Sequence, residues 1–155
     1  MRLGNSLFWL AGLAVSCLAS QAISAEADPR ALESCKKTSA DFTAIAKCLP
    51  NADVAVAIFD EFDRTYDPAA TPLKNKCIQL NGDDISGAAT CTLSAISDAI
   101  SLKASLPKGA TIDDPIFSAV ADERKQGRLL AAEKSARAKY PDVSLWGGNF
   151  YKPYR

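Results

Sequence analysis

Residues 77–91 read CIQLNGDDISGAATC. A cysteine stands at each end, and Asn81-Gly82-Asp83-Asp84 lies nearly midway between them. Asn-Gly halts a helix, because glycine accepts backbone conformations that a helix interior does not use. Asp83 and Asp84 stand just ahead of a second apolar segment, where carboxylates favour the positive end of a helix. The stretch therefore predicts two antiparallel helices pinned across a turn by Cys77 and Cys91.

Outward from that turn, the same punctuation repeats. Thr71-Pro72 starts helix for Leu73 to Leu80. On the other side, Ala89, Leu93, Ile96 and Ile100 make an apolar stripe along a helix from about Ser86 to Leu106. Upstream, Asp28-Pro29 reads as a cap and a first-turn proline for a short helix to about Lys37. Thr38 to Asp41 cap the next helix, with Phe42, Ile45, Ala46 and Leu49 at helical spacing until Pro50 interrupts. Asn51 opens a third helix along Val54, Ile58, Phe62 and Tyr66, which ends before Asp67-Pro68. Val56 and Phe59 fall elsewhere around it, so more than one face is expected to be buried. Pro107-Lys108-Gly109 is a turn, and Thr111 to Asp114 cap a last helix read as continuous from Pro115 to about Lys139. Strand-like alternation is absent over any useful length. The expected fold is all-α, a small bundle of about six helices built from helical hairpins, with a long C-terminal helix.

The other half of the cysteine pattern depends on the first 25 residues. Arg2, the apolar run Leu7 to Leu18 and the small polar stretch Ala19 to Ala25 follow the order of a secretory signal peptide. Cleavage is placed after Ala25, with cleavage after Ala27 (Ala25-Glu26-Ala27) as the near alternative. The run is short for a membrane anchor, and Ala14 stands where lipoprotein processing before Cys17 would want leucine. No later stretch reads as long and apolar enough to span a bilayer. Removing the leader takes Cys17 and leaves Cys35, Cys48, Cys77 and Cys91, an even four in an oxidising compartment. The preferred pairing is Cys35–Cys48 with Cys77–Cys91, and a nested Cys35–Cys91 with Cys48–Cys77 stays open. Export is thus expected, to the periplasm or beyond.

Net charge is zero, yet it is unevenly placed. Residues 26–123 hold 16 acids and 9 bases, net −7, whereas residues 124–155 hold 2 acids and 8 bases, net +6. The chain therefore divides into a leader (1–25), a disulfide-braced helical domain (26–140) and a basic, aromatic tail (141–155). On the last helix Ile116, Phe117, Val120, Leu130, Ala131 and Ala138 share one side, and Arg124, Lys125, Arg128 and Lys139 cluster on another. Tyr140, Trp146, Phe150, Tyr151 and Tyr154 lie within the last 16 residues, beside Lys152 and Arg155. Gly147-Gly148 and Pro153 argue for loop or extended chain there. Aromatics and arginine are what protein interfaces concentrate.

Candidate chemistry is thin. The chain has no histidine, which removes the commonest general base and the Ser–His and Cys–His routes. Four paired cysteines leave no thiolate nucleophile and no metal-ligand cluster. Asp60, Glu61, Asp63 and Asp67 are dense, with Asp60, Asp63 and Asp67 at i, i+3 and i+7, a spacing that also suits a solvated face. The expectation is a non-enzymatic protein without cofactor or metal. Its partner would be another protein, engaged through Arg124, Lys125, Arg128, Tyr140, Trp146, Phe150, Tyr151, Tyr154 and Arg155. Nucleic acid is not an expected partner, and membrane contact is confined to the same basic segment. Two other classes are kept: a carrier with an apolar cavity among Ile58, Phe62, Leu93 and Ile96, and a hydrolase using carboxylates such as Asp60 and Asp63.

Overall fold

A computed structural model describes residues 26–141. It is all-helical: α1 (Pro29–Thr38), α2 (Phe42–Thr65), a 3-10 turn (Pro68–Ala70), α3 (Thr71–Asn81), α4 (Ile85–Ser105), α5 (Pro115–Val120) and α6 (Glu123–Arg137). Residues 1–25 and 142–155 lie outside the described residues.

Aspartates start five of the six helices among the described residues. Asp28, Asp41, Asp84, Asp114 and Asp122 each accept a backbone N–H from the first turn of the helix that follows, satisfying donors that have no partner inside the helix. Gly82 ends α3 at φ +59, a conformation that side chains bearing Cβ rarely adopt. The chain then folds back into α4, and a disulfide holds the Cα atoms of Cys77 and Cys91 5.6 Å apart. A second disulfide joins Cys35 on α1 to Cys48 on α2, with Cα atoms 5.8 Å apart.

α2 is the central element and packs against α1, α4 and α6. One of its faces gives Val54, Ile58, Phe62 and Tyr66 to the main core, with Leu73, Ala89, Ile96, Val120 and Leu129 from the other helices. Another face gives Ala52 and Val56 to a smaller cluster with Ala31 and Cys35 of α1. Ile85 touches both clusters and joins them.

Two helix boundaries differ from the sequence reading, and they offset each other in the count. Pro50 does not interrupt: α2 runs straight through it. Its ring removes one N–H and crowds the carbonyl one turn back, a cost of roughly 3 kcal/mol inside a helix. Pro50 is buried, and both flanks are held against α1 by the Cys35–Cys48 bridge and by Leu49 and Ala52, so packing overrides the local breaker. Pro50→Ala should accordingly raise the unfolding free energy by about 1 kcal/mol. Most of the regained helix stability is offset by lost ring burial and a less restricted unfolded chain. The urea midpoint reads this directly, and a lower midpoint would mean that ring packing dominates.

The C-terminal helix is not continuous. It breaks at Ala121 and Asp122, where Ala121 has ψ +59 and the Asp122 carboxylate caps α6 by accepting from the N–H groups of Arg124 and Lys125. The freed Ala121 carbonyl accepts from the Lys103 ammonium at 2.8 Å. The break changes the phase of everything after it. Leu129 and Ala136 are buried, while Leu130, Ala131 and Ala138 face outward, the reverse of the stripe expected for one long helix.

A third correction concerns membranes. By length and composition α2 and α4 are both apolar enough to cross one, contrary to the sequence reading. Within the described domain they supply most of the core instead, which accounts for their apolar character.

Candidate functional site

Asp53 is the focus of the described polar structure. It lies in Ala52-Asp53-Val54-Ala55-Val56, an apolar stretch of α2, and is 2% exposed. A buried carboxylate is costly unless it is hydrogen-bonded and paired. Three donors meet it from distant parts of the chain. The Asp28 backbone N–H reaches Oδ1 at 2.7 Å, and the Lys139 ammonium and Tyr140 hydroxyl each reach Oδ2 at 3.1 Å. Burial and the Asp53 charge push the Tyr140 hydroxyl up to about 12, so it remains a donor at neutral pH.

Two turns along α2 from Asp53, at Asp60, Arg30 of α1 forms a fork. It donates to both oxygens of Asp60 at 2.8 and 2.7 Å, and to Asp28 at 3.0 and 2.7 Å. The guanidinium holds the Asp28 and Asp60 carboxyls below the usual carboxylate range. The start of α1 and the chain just after α6 thus converge on Asp53 and Asp60, two turns apart on α2.

The acidic run does not gather around one empty point. Asp60 pairs with Arg30, Asp63 with Lys74 and Asp67 with Lys125, each with a separate cation. Among the described residues no group of three or more His, Cys, Asp or Glu is placed to hold a metal ion. Lys74 and Lys125 also stand over the stacked rings of Phe62 and Tyr66, at 5.7 and 5.3 Å. Burial, with the Asp122 charge adding to it, pushes the Tyr66 hydroxyl up to about 12.

The basic residues singled out in the sequence therefore separate. Lys125 is committed to Asp67 and Tyr66, and Tyr140 to Asp53. Arg124 and Arg128 are exposed on one face of α6, and Leu130, 46% exposed, lies on another. Trp146, Phe150, Tyr151, Tyr154 and Arg155 lie outside the described residues. Ile58, Phe62 and Ile96 are buried in one core cluster, with Leu93 packed against it. A described apolar concavity lies elsewhere: a groove of about 630 Å³ with Phe59, Ile78 and Ile85 in its wall and Arg30, Glu33 and Lys37 along α1.

Sequence reading missed Asp53. The available signal was one acid among buried small apolar residues, which demands a partner without saying which. No family model, no curated protein and no solved structure matches this chain.

Proposed function

We propose that this chain is an exported, non-enzymatic helical protein that binds another protein through its basic, aromatic C-terminal segment, as an accessory subunit or an inhibitor. The two disulfides are consistent with an oxidising, exported environment. The observation that carries the binding assignment is the division between an acidic body and a basic end, with five aromatics in the last 16 residues. Lys139 and Tyr140 tie the end of the domain to Asp53, so the segment beyond Pro141 starts from a fixed point. Arg124 and Arg128 extend the basic surface along α6. The partner surface is therefore acidic around an apolar centre, and steering by the basic residues makes association weaken as salt rises.

The test compares the full chain with one lacking 141–155 in capture from the exported fraction at two salt concentrations. The shortened protein should keep its helical spectrum and its disulfides while losing capture at least tenfold. Retained capture by the shortened, folded protein would overturn the assignment.

A further inference from the structure

The Asp28 backbone nitrogen is 2.7 Å from the buried Asp53 carboxylate, and Asp28 is the residue immediately after Ala25-Glu26-Ala27. We propose that the leader is removed after Ala27, so that the new α-ammonium of Asp28 forms an ion pair with Asp53 and completes the folded domain. This rests on the export reading above.

Local charge favours it. The groups facing this point are Asp28 and Arg30 on the α1 side, Asp53 and Asp60 on α2, and Lys139 and Tyr140 after α6. Arg64 also faces Asp60, but it is paired with Glu61. Three carboxylates therefore meet two cations, Arg30 and Lys139, and one added ammonium balances the cluster. Cleavage after Ala25 would instead put the amine on Glu26, two residues before the Asp28 nitrogen that meets Asp53.

One effect opposes the pair, since a cation at a helix start is disfavoured by the helix dipole. Asp28 is itself the cap of α1 and its carboxylate accepts from Arg30 N–H, which supplies the negative charge that the position wants. The peptide N–H already makes a charge-assisted hydrogen bond to the Asp53 carboxylate, and an ammonium in its place adds the attraction of a full opposite charge. The same geometry that holds a peptide N–H before processing thus holds an ammonium more firmly after it.

The sign of the pH effect follows from the pairing. An α-amine titrates at about 8 in an unfolded chain, and a carboxylate partner raises that value in the folded state. Its stabilisation is full below about pH 8 and is lost as pH rises through the folded value.

The experiment is intact mass of the exported product of the full 155-residue chain, followed by melting. A product beginning at Asp28 is expected. A product beginning at Glu26 overturns the proposal, whereas one retaining residues 1–25 overturns the export reading instead. Nα-acetylation of the protein that begins at Asp28 should lower its melting temperature by about 4 °C at pH 6.5. That gap should close above about pH 10 and be absent in Asp53→Asn. An acetylated protein that melts with the unmodified one, or a gap unchanged by pH, overturns the ion pair even if Asp53→Asn does not fold.

Discussion

Asp53→Ala should lower the unfolding free energy by about 3 kcal/mol, read as a fall in the urea midpoint without a change in slope. Breaking one side of a buried ion pair costs about 3–5 kcal/mol, because the remaining partners are left desolvated. The low end applies here. Lys139 is 42% exposed on its side chain and can turn its ammonium into water, whereas the Asp28 N–H and the half-buried Tyr140 hydroxyl lose their acceptor outright. The partners should cost less when removed singly: about 1 kcal/mol for Tyr140→Phe, one hydrogen bond's worth, and about 1–2 kcal/mol for Lys139→Met. Asp53→Asn should fall between these and Asp53→Ala, since the amide oxygen still serves the Asp28 N–H but the charge is gone. Coupling is the sharper readout. Lys139→Met made in the Asp53→Asn protein should cost clearly less than in the parent, because the interaction it removes is already weakened. Additive effects, or an Asp53→Ala protein within about 0.5 kcal/mol of the parent, would show that the convergence on Asp53 contributes no stability.

That convergence also marks where the sequence stops being informative. Asp28-Pro29, Asp41, Asp84 and Asp114 announce helix starts because capping is a contact between residues two or three apart. The turn at Gly82 is legible for the same reason. Pro50 misleads because the deciding forces are distant, and Asp122 because its local cap leaves a carbonyl that a distant group satisfies. Pro50 is overruled by a disulfide and a neighbouring helix. Asp122 reads as one more charged residue on a helix surface until the Lys103 ammonium, 18 residues from Ala121, is seen to take the freed carbonyl. Asp53 meets partners 25, 86 and 87 residues away. A lone acid in an apolar run signals that such partners exist, but hydrophobic periodicity carries no information about which they are.

Graded reduction should open the two disulfides in sequence, Cys35–Cys48 first and Cys77–Cys91 only with loss of the fold. Each closes a loop of similar length, with separations of 13 and 14 residues. Each therefore contributes about 3 kcal/mol by restricting the unfolded chain, and loop length cannot set the order. Burial does. Cys77 and Cys91 are both fully buried between α3 and α4, whereas Cys48 is only partly buried. Cys48 sits in the first turns of α2, ahead of Pro50, where Phe42 is 79% exposed and Thr43 is also exposed. Local opening of residues 42–49 can admit a reductant while the main core stays closed. Alkylation after mild reduction should label Cys35 and Cys48 with the helical spectrum nearly intact, and Cys77 and Cys91 should react as that spectrum disappears. Urea separates the two events further, because a local opening exposes little surface and a global one exposes nearly all of it. The second reduction should accelerate steeply with urea and the first hardly at all. Replacing one pair of cysteines by alanine should cost about 3 kcal/mol. Replacing both pairs should cost about 6 kcal/mol, which falls within the total stability of an ordinary domain, so that protein should be largely unfolded at 37 °C. Labelling of Cys77 before Cys48, or equal urea dependence of the two steps, would mean that α3 and α4 open more readily than the start of α2.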